Sequence, residues 1–306
     1  MSYDELRLDD VGYFLARELE HIIPRIFEVE YADIKYDMVL PINREVSNGK
    51  NSYTYRIYDA QGSMKAISDK AKDLPRADIV RREVTHKVQS YGSSFGYTVQ
   101  ETRAAAEVPG TNLEQRRGAA VRRVYEETMQ RIAYFGDPAY GLRGFFNNDQ
   151  IDKIVPDKWF DSATITPDEC LELLNEPVTR IINNSNMKEQ PNTMLVPWPV
   201  FRKISTTRLG SVNDTTVLEF FLDTNEIITD IEPINELQAS KSGGFLPKDR
   251  IITYDRNPMK LEMHLPQELE FFPPQLQGLE YIVPAHARHG GTAIYYPRSV
   301  MVLEKA

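Results

Sequence analysis

The sequence predicts an α+β fold, on three observations. Apolar and polar residues alternate through Tyr53, Tyr55 and Ile57 and again through Val84, His86 and Val88, the period of a half-covered strand. An apolar stripe with a 3.6-residue period runs through 112–135, the mark of an amphipathic helix. Beyond it helices mix with short strands, and from Ile251 on the chain is strand-rich.

In chain order, residues 10–23 read as a helix. Asp9 and Asp10 suit its N-cap, Val11, Phe14, Leu15, Leu19 and Ile22 form one stripe, and Pro24 stops it. Phe27, Val29 and Tyr31 then alternate, and after Ala32-Asp33 the phase moves to Ile34, Tyr36, Met38, Leu40 and Ile42. That shift predicts a long extended arm carrying a β-bulge. Residues 51–100 predict a long hairpin-like ribbon. One strand leads to a turn at 60–63, a mixed-charge stretch precedes Pro75, and the chain returns through Ile79. Such a ribbon is marginal in water by itself, so another copy of the chain is the simplest support for it.

Asn112 suits the cap of the longest helix. Leu113, Ala120, Val121, Val124, Thr128, Ile132 and Phe135 lie on its stripe, and Gly136-Asp137-Pro138 ends it. Further on, 167–185 predicts a helix, 194–200 a buried strand, 215–222 a helix and 227–234 a strand. Lys241 to Gly244 is a loop. Residues 281–288 and 292–296 form a strand pair joined at His289-Gly290-Gly291, and 300–303 is a last strand.

A net charge of −9 excludes a protein that wraps nucleic acid by neutralising phosphates, though it suits weak contact with DNA. The lone Cys170 excludes an intrachain disulfide and a multi-cysteine zinc site, and fits a reducing compartment. No apolar run reaches the ~18 residues of a membrane span. The first residues, Met1 to Glu5, have neither the basic nor the apolar region of a signal peptide.

Three segments resemble the major capsid proteins of tailed bacteriophages, whose fold encapsulin shells share. One is Gly136-Asp137 followed by Gly141-Leu142-Arg143-Gly144 and Asn147. Another is the order of arm, extended loop and long "spine" helix. The last runs from Gly278-Leu279 through Arg288-His289-Gly290-Gly291 to Tyr295-Tyr296-Pro297-Arg298-Ser299. The resemblance implies 1–50 as N-terminal helix and arm, 51–100 as extended loop with flanking strands, and 101–142 as peripheral domain with the spine helix. It makes 143–255 the axial domain and 256–306 the strands that return to the peripheral domain.

The same resemblance implies a structural subunit, not an enzyme, without cofactor. Copies would assemble as hexamers and pentamers into an icosahedral shell enclosing double-stranded DNA. Assembly would take place in the host cytoplasm, with scaffolding, portal and decoration proteins as further partners. The alternative within the fold is a nanocompartment shell around a cargo enzyme; the alternative outside it is a soluble hydrolase. Intersubunit contacts are expected at Met64, Lys65, Ile67, Lys70, Lys72, Arg116 and Arg123, and an axial loop at Ser242, Gly243 and Gly244. Some relatives crosslink subunits through a Lys–Asn isopeptide bond. The last asparagine here is Asn257, so no such crosslink is expected. An arm that begins within about thirty residues of Met1 implies a subunit with no cleaved scaffolding segment.

The residues resist sharper chemical readings. His286 and His289 on a strand point to opposite faces and suit chelation poorly, even with His264 in the chain, so the histidines read as structural. The Arg116, Arg117, Arg122 and Arg123 cluster reads as a solvated face balanced by Glu114, Glu126 and Glu127. Cys170, among leucines, reads as a small buried hydrophobe.

Overall fold

The structure is a computed structural model and describes residues 33–66, 75–107, 113–162, 164–210 and 214–306. The predicted helix at 10–23 and the alternation at 27–31 lie outside these residues.

The described elements run as follows. Helix α1 (Tyr36–Val39) leads to β1 (Ile42–Asn43), β2 (Ser52–Gln61), β3 (Asp78–Lys87) and β4 (Gln89–Thr98). Helices α2 (Val99–Glu107) and α3 (Leu113–Phe135) are followed by β5 (Gly136–Asp137), β6 (Leu142–Arg143), β7 (Asp152–Ile154) and α4 (Pro167–Asn184). Then come β8 (Thr193–Val196), α5 (Trp198–Thr206), α6 (Val217–Thr224), β9 (Asp230–Pro233), β10 (Arg250–Tyr254) and β11 (Leu261–His264). The chain closes through β12 (Gln267–Phe271), β13 (Gln275–Gln277), β14 (Glu280–His289), β15 (Thr292–Ile294) and β16 (Val300–Glu304).

A five-stranded sheet in the order β7-β16-β10-β8-β9 divides two hydrophobic cores. Alternation along its strands sets the division, because successive side chains point to opposite faces. Leu195, Ile252, Tyr254, Val300 and Val302 face one core, shared with the end of α3 and with β11. Met194, Val196, Ile251, Met301 and Leu303 face the other, under α4, α5 and α6. With both faces covered, β10 and β16 read as nearly continuous apolar runs.

The helices over the second core start on strong signals. Thr166 and Thr216 each form a capping box, with Glu169 and Glu219 respectively, and Pro167 sits in the first turn of α4. A second sheet is built on β14, which pairs along ten residues with β4 on one side and with β12 and β13 on the other. Among the described residues, strands β2 and β3 pair only with each other, from Ser52↔Lys87 to Gln61↔Asp78.

Four expectations need correction. Residues 36–39 form a helical turn rather than a strand, because Met38, Val39 and Leu40 N–H groups bond back to Lys35 and Tyr36 carbonyls. The strand expected over 194–200 stops at Val196: Pro197 has no N–H for a ladder, caps α5, and hands the chain to that helix. Residues 281–288 and 292–296 are not a hairpin, since β14 pairs with β4, β12 and β13 whereas β15 pairs with β11. On α3, Val124 faces solvent at 54% exposure and Ala120 is exposed, while Met129 fills the core and Tyr125 packs against it. Helix α2 lies beyond those expectations; its signal is Thr98-x-x-Glu101, where each residue's side chain bonds the other's backbone N–H.

Candidate functional site: the helix seam and the ribbon root

Two local constructions organise the surfaces this protein offers. The first closes α3. Gly136 takes a left-handed φ of 73° at the helix end, and the chain doubles back so that Gly144 lies against Phe135 and Gly136. A Cβ on Gly136 would stand 2.6 Å from Gly144 N, and one on Gly144 would stand 2.5 Å from Phe135 Cα. Two backbones touch here, and glycine permits it.

The returning strand satisfies carbonyls that any helix leaves open at its C-terminus. Phe145 N–H donates to Ala133 O (3.0 Å) and Phe146 N–H to Tyr134 O (2.7 Å), while Asn147 Nδ2 donates to Phe135 O (2.8 Å). Thr292 Oγ1 adds a second bond to Ala133 O at 2.9 Å. Arg250, buried, donates to Phe146 O at 2.7 Å and pairs with Glu304 at 2.5 Å, which ties the seam to the central strands β10 and β16. The Gly136-to-Asn147 motif is therefore a helix terminator welded to the core.

The second construction seats the β2–β3 ribbon. Its proximal inner face carries Tyr53 and Tyr55 from β2 and His86 from β3. Tyr53 lies 3.9 Å, ring to ring, from His264 and stacks on His86 at 5.2 Å; Tyr55 meets Tyr295 edge-on at 4.8 Å. Gly290 makes room, because a Cβ there would stand 2.9 Å from the Tyr53 ring, and its carbonyl accepts from Tyr53 Oη at 3.2 Å.

Beneath the rings, Tyr295 Oη donates to Glu262 (3.0 Å) and shares a 2.9 Å bond with His264 Nε2; Asn43 Nδ2 also donates to Glu262 (2.9 Å). Arg288 reaches across to Asn48 O and to Asn51 Oδ1 (2.7 Å). Burial holds His264 near a pKa of about 4 and His289 near about 3, and lowers that of His86. Burial likewise pushes the Tyr53 and Tyr295 hydroxyls far up.

Beyond Ile57 the ribbon leaves the body. Tyr58 and Ile79 are 61% and 65% exposed, and Val80 is exposed too. Met64 is fully exposed and Lys65 is exposed; Ile67, Lys70 and Lys72 lie outside the described residues. Arg116 is exposed near the start of α3, and Arg123 pairs with Glu127 at 2.8 Å. Arg117 takes another partner from the one the helix alone suggests: it bonds Glu101 of α2 at 2.9 Å and Gly96 O of β4.

The 241–244 loop is anchored at its middle. Ser242 is buried, its Oγ donating to Ala239 O (2.9 Å) and accepting from Leu246 N–H (3.1 Å), while Gly243 and Gly244 take positive φ beside it. Phe245 then stacks on Phe135 at 4.9 Å. His264 belongs to the ribbon root and His289 lies near enough to interact with it electrostatically, while His286 on β14 pairs with Gly92 of β4. Among the described residues no group of three or more His, Cys, Asp or Glu is arranged to hold a metal ion, and no helix is long and apolar enough to cross a membrane.

The family model for the major capsid protein matches residues 62–305. This chain belongs to that family. It is a structural shell subunit, and its fold is the tailed-phage capsid fold. Among solved structures, the capsid of Myoviridae phage XM1 superimposes with a TM-score of 0.83 over 97% of this chain and 100% of that one, at 17% identity. Mycobacterium phage Ogopogo matches with a TM-score of 0.60 at 15% identity, covering 94% and 96% of the two chains. A virus-like particle from Pyrococcus furiosus matches with a TM-score of 0.53 at 15% identity, covering 87% and 90%. No curated protein matches the sequence. At such identities the likenesses speak for the fold, and the family match speaks for the role.

The ribbon root escaped sequence reasoning, although two of its parts were visible there. The pair Gly290-Gly291 and the run His286 to His289 stood out, but nothing local connects them to Tyr53, some 237 positions earlier.

Proposed function

We propose that copies of this capsid protein assemble as hexamers and pentamers into an icosahedral shell around double-stranded DNA. The carrying observation is the ribbon's distal half, where ten-residue strands project past the body and expose Tyr58, Ile79 and Val80. A two-stranded ribbon gains too little from its own pairing to stay ordered in water, and a neighbouring copy would cover it. On this reading Met64 and Lys65, with Ile67, Lys70 and Lys72, contact an adjacent subunit, and Arg116 and Arg123 add polar contacts from α3. Residues 143–255 form the axial domain. Residues 101–142 and 256–306 form the peripheral domain.

The net charge of −9 suits a lining that touches packaged DNA weakly and non-specifically. The subunit assembles in the host cytoplasm and resides in the virion, with scaffolding, portal and decoration proteins as its other partners. Electron microscopy of the purified chain, alone and with its neighbouring gene products, tests this. Closed shells with five- and six-fold capsomers are expected. A protein that stays monomeric under all assembly conditions, or shells that protect no DNA from nuclease during infection, would overturn it.

A further inference from the structure

We propose that the ribbon root is a proton-operated latch, in which His264, with the His86 ring stacked on Tyr53 and His289 close behind it, holds the ribbon down while neutral and releases it when protonated. Its effect on the shell rests on the function proposed above; the docking of the ribbon on its own body does not.

The hydrogen bonds dictate the neutral state. Tyr295 Oη spends its proton on Glu262, so its oxygen accepts from His264 Nε2–H. The free lone pair of His264 is then on Nδ1, which is buried and has no partner among the described residues. A proton added there would create a buried N–H⁺ with no acceptor. His289 is closed in the opposite sense. Its Nδ1 accepts from Gly291 N–H at 2.7 Å, so Nε2 carries the hydrogen, buried and unpartnered. Protonating Nδ1 would break the Gly291 bond. His86 Nε2 is buried without a partner as well, under the rings of Tyr53 and Tyr55. His264 and His289 accept a proton only by leaving their seats, and because Tyr53 packs its ring on both His264 and His86, freeing His264 means lifting Tyr53 and His86, the base of the ribbon.

The charges around the rings do not reverse this. From β6, Arg143 acts on both His86 and Tyr55; Arg82 of β3 acts on Tyr55; Arg288 of β14 adjoins His289. Against these stand Glu262 of β11, already accepting from Asn43 and Tyr295, and Glu45, which acts on Tyr295 from the chain after β1. Neither carboxylate is bonded to a free histidine nitrogen. The three rings also repel one another once charged, since His86 acts on His264 and His264 on His289.

Coupled proton uptake at His264 makes undocking about tenfold easier per pH unit, between the ordinary value of about 6.5 and its docked value of about 4. The test is hydrogen–deuterium exchange of the full chain as dispersed subunits, at pH 7.5 and 5.0, with exchange times scaled for the intrinsic pH dependence of amide exchange. Peptides covering 52–61 and 78–87 are expected to lose protection at least tenfold at pH 5.0, while β10 keeps its protection. His264→Gln, which retains a donor for Tyr295 but cannot titrate, should cut the pH dependence of the ribbon peptides about tenfold per unit. Ribbon protection that is the same at both pH values, or a loss undiminished in His264→Gln, would overturn the latch. Should that variant fail to fold, a histidine-selective NMR titration of the natural chain decides. His264 is expected to stay neutral until the ribbon amides open, and its ordinary titration near 6.5 with the ribbon still docked would refute the proposal.

Discussion

Replacing Gly144 by alanine should remove roughly 3–5 kcal/mol of the subunit's stability, on the ordinary cost of broken buried hydrogen bonds. The new Cβ would stand 2.5 Å from Phe135 Cα, and the atoms it meets there are backbone, which cannot rotate out of the way. The returning strand must therefore move off the helix end. Three bonds hold that seam: Phe145 N–H to Ala133 O, Phe146 N–H to Tyr134 O and Asn147 Nδ2 to Phe135 O. Each is worth about 1 kcal/mol net, and a buried carbonyl left unpaired costs about 1–3 kcal/mol. Against a typical domain stability of about 5–15 kcal/mol the loss is large.

Gly141→Ala is the control. That glycine also has a positive φ, 74°, but nothing lies within 4 Å of its would-be Cβ, so only the left-handed strain of about 1–2 kcal/mol applies. Urea unfolding of dispersed subunits, followed by circular dichroism, measures both. If Gly144→Ala unfolds at the same urea concentration as Gly141→Ala, backbone contact at the seam is not what the glycine serves.

Four further outcomes follow from the same geometry. Glu304→Gln leaves Arg250, 5% exposed, without its counter-charge, and should lower stability by about 3–5 kcal/mol; Arg250→Met combined with Glu304→Leu should recover much of it, as thermal melts of both will tell. Tyr254→Phe removes the 2.6 Å bond to Val39 O and should cost about 1 kcal/mol by urea titration, a loss that no change would contradict. Acid should destabilise the fold through His264. Its folded pKa of about 4 lies below the unfolded 6.5, so the unfolded chain binds more protons, and up to about 3 kcal/mol is lost as pH falls from 6.5 to 4. A urea midpoint flat across that window would count against a buried neutral imidazole. Gly290→Ala should displace the Tyr53 ring and raise exchange in β2 and β3, because its Cβ would stand 2.9 Å from that ring and 3.0 Å from His264 Cβ; unchanged exchange would contradict the close approach.

What could be read from the residues was what local patterns carry. The ribbon was legible because Tyr53, Tyr55, Val84 and His86 alternate on one inner face. Helix α4 was legible over 167–185, and the structure adds the capping box of Thr166 and Glu169 that starts it. Residues 34–42 misled for a physical reason: a single helical turn needs no 3.6-residue stripe, and Tyr36, Met38 and Leu40 alternate by chance across it. At 194–200 the apolar run was real, but Pro197 made it two elements, a strand and a helix, with Met194, Val196 and Val200 in one core and Leu195 in the other. The stripe on α3 held at Val121, Ile132 and Phe135 but strayed at Ala120 and Val124, which are exposed, while Tyr125 and Met129 do the packing. The ribbon root was beyond local patterns altogether, since its parts come from β2, β3, β11, β14 and the residue after β15.

The division of the fold by one sheet has a consequence for the order of events during synthesis. Strand β16 lies between β7 and β10, with Val300 and Val302 in one core and Met301 and Leu303 in the other. Until the ribosome has passed residue 304, β10 and β7 have no strand between them and both cores stand open. The seat of the ribbon, at His264, Gly290 and Tyr295, is likewise made more than 200 residues after Tyr53 emerges. Nascent chains therefore present an undocked ribbon and incomplete faces, and only finished subunits carry the surfaces that fit one another. Competence to assemble in this way waits on β16.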